Sequence, residues 1–270
     1  MNLRLSCRPA APVALLVGVW DPVLPEHLDL FRLLRDDATA RGLHPIVATI
    51  DPNPGVFVHA PVVWQDYDDL ASRLALQEGC GLGGSLLVEM GEADLQSDAA
   101  AFLGAVMAVL PLGELWLGRR QSFGSGPAGS LDAILAYADS RGVTVRRLAP
   151  SLARFTCRTV RQYLRAGRLR DAIELVRRPP ARARPDSGSL PLPWAPGDYL
   201  AVPVDGPGGR PAGEPTCLTL SSRDGTPPSV PWPGRADWLA FLAGPADGPA
   251  ESCEPSRAGA RDGRSVHQPG

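Results

Sequence analysis

The feature that most constrains the fold is the unbroken apolar run at residues 13–19, together with the turn and helix that follow it. An aliphatic run without alternation is typical of a strand buried on both faces of a parallel sheet. After a tight connection with Gly and Pro, apolar residues recur at helical spacing from Glu26 until Gly42, a typical helix stop signal. The start of that helix, with His27, is therefore predicted to lie where backbone N–H groups and the helix dipole favour phosphate.

The chain repeats this alternation of strands and helices up to residue 178. Strands are predicted at residues 44–50, 86–90, 114–118 and 143–148, and helices at 66–78, 97–110 (N-capped by Ser97), 128–141, 157–166 and 169–177. Elements in this order indicate an α/β fold, a parallel sheet with right-handed crossovers and helices on both faces. Ligands of such sheets bind beyond the carboxyl ends of the strands.

Composition divides the chain into four segments. Residues 12–178 are predicted to form the α/β domain, 179–196 a linker rich in Pro and Arg, 197–244 a small β unit, and 245–270 a polar, disordered tail. A β unit of this size buries little surface alone, so it is expected to pack on the larger domain. Residues 1–11 are expected to be a loose tail.

Charge and hydropathy exclude several classes of partner. The formal net charge of −2 argues against nucleic acid, and no apolar run is long enough to span a membrane. The N-terminus lacks the apolar segment of a signal peptide. The five cysteines are scattered without CxxC or metal-ligand spacing, which predicts reduced thiols and a cytoplasmic protein. The sequence does not indicate an oligomeric state.

The chain contains no lysine, so every cationic side chain apart from histidine is arginine. This excludes a P-loop of the Walker type, a Schiff-base mechanism and a lysine-activated nucleophile. Any phosphate chemistry in this chain must use arginine, histidine, backbone N–H groups or a metal ion.

Four motifs occur in order between residues 12 and 178. Residues 18–27 read GVWDPVLPEH, 49–54 read TIDPNP, 118–124 read GRRQSFG, and 155–161 read FTCRTVR. Together they resemble the prokaryotic FAD synthetases, the FMN adenylyltransferase half of the bifunctional riboflavin kinase/FAD synthetase proteins. The family patterns are Gly-x-Phe-Asp-Gly-x-His-x-Gly-His, Thr-Phe-Asp-Pro-His-Pro, Gly-x-Asp-Phe-x-Phe-Gly and Ile-Ser-Ser-Thr-x-Ile-Arg.

The resemblance implies a Rossmann-like nucleotidyltransferase that transfers AMP from ATP to FMN and releases pyrophosphate, with Mg²⁺ as cofactor. It implies catalytic roles for His27 and Arg161, nucleotide contacts for Gly18, Trp20, Asp21, Gly118 and Thr156, and flavin or acceptor contacts for Asn53 and Phe123. Arg158, which is specific to this chain, is a third predicted catalytic residue. The nucleophile of this reaction is already a phosphate anion, so catalysis consists of positioning and neutralisation of charge.

Several positions depart from the family's patterns. Leu24 replaces the first signature histidine, Glu26 replaces a glycine, Arg120 replaces an aspartate, and Thr156, Cys157 and Arg158 replace the Ser-Ser-Thr segment. Loss of one charge-stabilising donor typically costs on the order of a hundred- to a thousandfold in rate. A carboxylate about 5 Å from a phosphate costs roughly 3 kcal/mol at an effective dielectric near 20. Arg158 would offset part of this, and Glu26 either binds the metal or complements the helix dipole.

Each candidate residue also has an ordinary structural role open to it. These alternatives are helix capping for His27, turn formation for Asp21 and Asn53, a solvated helix face for Arg158 and Arg161, and a core position for Phe123.

The small β unit occupies the place of the riboflavin kinase domain. Residues 197–202 and 213–216 are faintly similar to a strand and to the Gly-x-Pro-Thr-Ala-Asn motif of that domain, but Leu218 stands where a metal-binding asparagine is expected. The unit is also about half the expected length, so riboflavin kinase activity is not predicted.

Three hypotheses follow from these residues. The first is a FAD-synthetase-like nucleotidyltransferase acting on FMN or a related phosphorylated acceptor. The second is a pseudoenzyme that binds flavin or nucleotide without turnover, and the third is a relative with a changed substrate, whose specificity element is the loop 119–127.

Overall fold

The computed structural model describes residues 1–58, 66–118, 121–124, 126–149, 153–187, 189–191, 194–220, 229–233 and 235–247. The described fold is mixed α/β, with a six-stranded, mostly parallel sheet flanked by helices and a separate small antiparallel sheet. The predicted fold class is thereby confirmed. None of the described helices is both long enough and apolar enough to cross a bilayer.

The strand formed by the apolar run at Val13–Gly18 lies at the centre of the large sheet. Its strands are β1 (Asn2–Leu5), β2 (Val13–Gly18), β3 (His44–Asp51), β4 (Gly84–Glu89), β5 (Leu112–Leu117) and β6 (Thr144–Arg147). They lie in the order β1-β4-β3-β2-β5-β6, and all except β1 are parallel. The strand order reverses between β2 and β5, so the crevice that binds ligands in open α/β sheets is at the carboxyl ends of these two strands.

Helices cover both faces of the large sheet. The helices are α1 (Pro25–Ala40), α2 (Gly55–Val58), α3 (Leu70–Glu78), α4 (Ala99–Val109), α5 (Leu131–Ser140), α6 (Ala153–Arg165) and α7 (Leu169–Val176). Ala14 and Leu16 of β2 pack with residues of α1 on one face, whereas Leu15 and Val17 pack with α4 and α5 on the other. Because β2 is buried on both faces, its sequence is continuously apolar.

The prediction of a loose tail over residues 1–11 is wrong for β1. This strand pairs antiparallel with β4, and the Arg4 and Asn2 side chains both contact Glu89 across the strands. Leu3 and Leu5 pack against the core. Two apolar residues in a four-residue edge strand are too few to give a pattern in the sequence.

The predicted cap of α4 is also off by one residue. The Oδ1 atom of Asp98 accepts the N–H of Ala101, so Asp98 is the N-cap. Ser97 instead ends the 3₁₀ turn Glu92–Gln96. Both residue types favour the N-cap position, and the sequence alone does not choose between neighbours.

The small sheet begins inside the segment predicted as a linker. The remaining strands are β7 (Ala181–Ala183), β8 (Ser189–Pro191), β9 (Gly197–Val204), β10 (Thr216–Leu220), β11 (Ser229–Pro231) and β12 (Trp238–Ala243). The order is β10-β9-β12-β7, and β8 pairs separately with β11. β7 and β8 therefore both lie within 179–196, where the sequence predicts a linker. α6 and α7 pack on the small sheet through apolar residues such as Leu164, Leu169 and Phe241. The domain boundaries themselves stay a prediction.

Two further predictions concern the C-terminal part. Cys217 on β10 is disulfide-bonded, so the expectation of five reduced thiols is wrong for this residue. Disulfide pairing depends on distances in the fold, which scattered cysteine spacing does not reveal. Of the predicted tail, Asp247 accepts the N–H groups of Arg170 and Gly244, and residues 248–270 lie outside the described part.

A buried ion pair joins the connection between α7 and β7 to the segment before α3. Arg178, just after α7, forms a two-pronged pair with Asp68, whose side chain is fully buried and also accepts the N–H of Val23. Arg182 on β7 donates to the carbonyls of Tyr67 and Asp66 at 2.6 and 2.8 Å. Residues 66–68 are thus held by two arginines from beyond α7.

We expect Arg178→Met to lower the free energy of unfolding by about 3–5 kcal/mol, because Asp68 would remain buried without its cationic partner. Urea denaturation of the full chain measures this loss. The matched control is Arg177→Met, since Arg177 is the exposed neighbour of Arg178. The double variant Arg178→Met with Asp68→Asn should recover part of the stability. Equal stability of the two single variants would contradict the inferred role of the ion pair.

Candidate functional site

The turn after β2 is closed by an indole ring. Trp20 has a left-handed backbone (φ 57°), and its Nε1–H donates to the carbonyl of Ala48 on β3 at 2.8 Å. The ring lies over Gly18, where a Cβ would be 2.6 Å from the indole carbons. It packs edge-on against the rings of His27 and Phe31. Gly18 and Trp20, both predicted nucleotide contacts, therefore shape this turn together, and the space directly above Gly18 holds the indole.

Asp21, a predicted nucleotide contact, is buried under the turn. Its Oδ1 atom accepts the N–H groups of Tyr67 and Asp68, each at 2.9 Å, while its Oδ2 atom has no hydrogen-bond partner within the described residues. Burial, followed by the nearby carboxylates of Asp66 and Asp68, raises the pKa of Asp21 to about 8. Asp21 thus fixes the turn to the segment before α3 and does not present an exposed carboxylate.

His27 lies in the first turn of α1 as predicted, but its imidazole is used locally. Its Nδ1 atom accepts the N–H of Leu24, the N-cap residue of α1, at 3.1 Å. Burial lowers the pKa of His27 to about 4, so the ring is neutral at neutral pH. Leu24 itself is fully buried in the core. Neither of the two signature-histidine positions therefore places a positive charge at the start of α1.

Glu26 is exposed in the first turn of α1, where a carboxylate complements the helix dipole. Among the described residues, no cluster of three or more His, Cys, Asp and Glu side chains is arranged to hold a metal ion. The described protein groups therefore do not form a Mg²⁺ cage that includes Glu26. Mg²⁺ is usually bound through substrate phosphates and water with one or two carboxylates, and its binding here stays a prediction.

The fourth motif, on α6, contacts the first motif. The Nη1 atom of Arg161 donates to the carbonyl of Asp21 at 3.0 Å and lies 3.8 Å from its Oδ2 atom. The thiol of Cys157 faces the carbonyl of Pro22 at 4.0 Å, and burial raises the pKa of Cys157 to about 12. Arg158 is exposed three residues before Arg161, so the two arginines are neighbours on the helix surface.

Thr156, the predicted nucleotide contact at the start of this motif, is half-buried on α6. The side chains of residues 153–155 and the segment 150–152 lie outside the described part, as do Arg119 and Arg120 of the third motif.

The second and third motifs follow β3 and β5 at the same edge of the sheet. The Oδ1 atom of Asn53 accepts the N–H of Gly55 at 3.0 Å, which closes the turn after β3. Gly118 donates its N–H to the Oε1 atom of Gln121, and the Nε2 atom of Gln121 donates to the carbonyl of Val17 on β2 at 2.9 Å. Gln121 thereby joins the carboxyl ends of β5 and β2, a role that the sequence analysis missed.

Phe123, a predicted flavin contact, is in the core. Only 4% of the residue is exposed, and its ring stacks on that of Phe102 with centroids 4.1 Å apart. The structure therefore shows Phe123 in the core, which is the alternative that the sequence left open for it.

A buried arginine that the sequence analysis did not single out joins the first two motifs. The Nη1 atom of Arg73 on α3 donates to the carbonyls of Val19 and Ile50 at 2.9 and 3.2 Å, and its Nη2 atom pairs with Asp51. Its neighbour on the same helix face, Gln77, is also buried. The signal for this role in the sequence is the position of Arg73 on the buried face of an amphipathic helix.

The four motif segments thus converge at the carboxyl end of β2. No family model and no curated protein sequence matches this chain. Among solved structures, the chain is similar to one titled macrolide-efflux protein from Streptococcus pneumoniae, with 16% identity and a TM-score of 0.60, over 87% of this chain and 86% of that chain. What the two proteins share is the fold. At this identity the likeness extends to the architecture of most of both chains, and to nothing finer.

We expect stability to fall between pH 6.5 and 8 because of Asp21. The folded chain holds the Asp21 proton up to about pH 8, whereas the unfolded carboxyl loses it near pH 4, so unfolding releases a proton in this range. The half-buried His27 has the opposite effect on stability, but only below about pH 6.5. Over 1.5 pH units, the loss due to Asp21 is about 2 kcal/mol.

Urea denaturation at the two pH values measures this loss in the wild type and in Asp21→Asn, where it should be largely absent. Asp29→Asn, which alters an exposed carboxylate, is the control and should keep the wild-type dependence. An unchanged loss in Asp21→Asn would show that the carboxyl does not hold a proton in the folded chain.

Proposed function

We propose that this chain is a FAD-synthetase-like nucleotidyltransferase that binds a nucleoside triphosphate at the carboxyl edge of the large sheet. It transfers a nucleotidyl group, AMP in the first instance, to FMN or a related phosphorylated acceptor. The observation that carries the proposal is the hydrogen bond from Arg161 to Asp21, which joins motif segments 140 residues apart in sequence. It brings the arginine segment to the strand–turn–helix at which the strand order reverses.

Arginines supply the positive charge in this proposal. Because His27 is neutral and Leu24 is apolar, phosphate charge at this edge is met by the guanidinium groups of α6. Guanidinium binds phosphate through paired N–H donors and keeps its charge at any physiological pH. Arg158, which is exposed, contacts the triphosphate, and Arg161 orients the turn against it.

The reaction does not require the histidine charge. The acceptor phosphate is an anionic nucleophile, so no side chain has to remove a proton from it. The tasks of the chain are to align the acceptor with the α-phosphate and to stabilise the charge on the departing pyrophosphate. A bound Mg²⁺ would add charge stabilisation at the phosphates. With one family donor replaced and another engaged in capping, we expect turnover slower than that of an enzyme with both histidines.

A second candidate function is binding of a nucleotide or flavin without transfer. The observation that favours it is the capping role of His27, whose Nδ1 atom is already engaged by the N–H of Leu24. If the charge on α6 suffices to bind phosphates but not to stabilise the leaving group, the chain retains affinity and loses rate.

The test is incubation of the full chain with ATP, Mg²⁺ and FMN, followed by chromatography for FAD and an assay for pyrophosphate. We expect both products, and we expect Arg158→Met to lower the rate by about a hundredfold or more, as for other charge-stabilising donors. Arg165→Met is the matched control, because Arg165 lies on the same helix, is exposed and is further from the turn.

The outcomes separate the candidates. Nucleotide or FMN binding by calorimetry without either product supports the binding function and contradicts transfer. Products only with another triphosphate or phosphorylated acceptor identify a changed substrate. Neither binding nor product with any of these compounds contradicts both functions.

A further inference from the structure

A thiol and an imidazole meet at the opposite edge of the large sheet from the motif segments. Cys7 follows β1, and His44 is the first residue of β3. The Sγ atom of Cys7 lies 3.6 Å from the Nε2 atom of His44. Both side chains are partly exposed, so small molecules in solvent can reach them. This pair is separate from the site of the proposed function and does not depend on it.

The start of β4 leaves room for the pair and orients it. A Cβ at Gly84 would lie 2.3 Å from the Cys7 sulfur, and a Cβ at Gly83 would lie 2.7 Å from the His44 ring. The Nε2 atom of His44 is also 3.0 Å from the carbonyl of Gly83. A carbonyl oxygen only accepts hydrogen bonds, so it favours the form of the ring with a proton on Nε2. That N–H is then directed to the region between the carbonyl and the sulfur.

The other cysteines of the described chain are unsuited to reaction with a small molecule. Cys80 is buried, with its pKa raised by burial, and burial likewise raises the pKa of Cys157 to about 12. Cys217 is already disulfide-bonded and offers no free thiol. Cys7 is the free cysteine of the described part that combines exposure with a neighbouring imidazole.

We propose that Cys7 and His44 form a thiol-modification site that takes low-molecular-weight disulfides. The Cys7 thiol gives up its proton, and the sulfur attacks one sulfur of the disulfide. The proton goes to solvent, a new S–S bond forms between Cys7 and that sulfur, and the original S–S bond breaks. The other half leaves as a thiolate, which takes up a proton from solvent when its own acidity allows. No electrons are gained or lost overall, because one disulfide replaces another. His44 assists as a hydrogen-bond partner of the Cys7 sulfur and is a positioning residue.

Modification has a local structural consequence. Ser6, next to Cys7, donates its N–H to the carbonyl of Ser85 and accepts the N–H of Ser85 with its hydroxyl, which continues the β1–β4 pairing. A bulky group on the sulfur cannot occupy the space against Gly84 that the bare thiol fills. We therefore expect the modified chain to lose hydrogen-exchange protection in β1 and in the facing residues of β4.

The experiment mixes the native full chain with an aromatic disulfide, 5,5′-dithiobis(2-nitrobenzoic acid), and follows release of the coloured thiolate, with peptide mapping by mass spectrometry. We expect one fast equivalent that maps to Cys7. Cys7→Ser should remove the fast phase, and His44→Gln should slow it on the order of tenfold or more. Cys80→Ser is the matched control and should keep the fast phase. Oxidised glutathione then replaces the aromatic disulfide for hydrogen exchange.

Peptide mapping of the wild type keeps the test decisive even if a variant folds poorly. A first equivalent that maps to another cysteine would overturn the proposal. So would equal rates for the wild type and a folded His44→Gln variant, or glutathione labelling of Cys7 with unchanged protection of β1.

Discussion

The carboxyl group of Asp21 makes the contact on which the geometry of the site depends. By accepting the N–H groups of Tyr67 and Asp68, it fixes the turn after β2 to the segment before α3. The same segment is held from its other side by Arg178 and Arg182. The turn, α3 and the small sheet therefore belong to one hydrogen-bonded network.

The side chains that can supply positive charge to a phosphate lie on α6 and not at the start of α1. The start of α1 has backbone N–H groups but a neutral His27 and an acidic Glu26, so it offers no positive side chain. The cations lie on α6 instead, with Arg158 exposed and Arg161 resting on the carbonyl of Asp21. A neutral imidazole contributes at most a hydrogen bond, whereas a guanidinium contributes charge and a fork of donors. In our proposal, phosphate binding thus depends more on α6 than on α1.

The sequence predicted the parts of the fold whose signal is local. Strands β2 and β3 are predictable because burial on both faces makes them almost continuously apolar. Strand β7 was missed because Ala-Arg-Ala has no β-branched residue and is strand only through its pairing with β12. The buried charges Arg73 and Asp68 were missed for a related reason. Their partners lie at distant positions in sequence, and burial of a charge is visible only when the partner is placed beside it.

Amide chemical-shift mapping by NMR tests the central claim most directly. The ¹⁵N-labelled chain is titrated with Mg²⁺ and an ATP analogue that cannot transfer its nucleotidyl group. If phosphates bind at the carboxyl end of β2, the largest shifts should fall in residues 18–24 and 156–161, and the Arg158→Met variant should weaken them. Saturable shifts confined to other parts of the chain, for example along β7 and β12, would contradict the account, as would a complete absence of shifts at millimolar nucleotide.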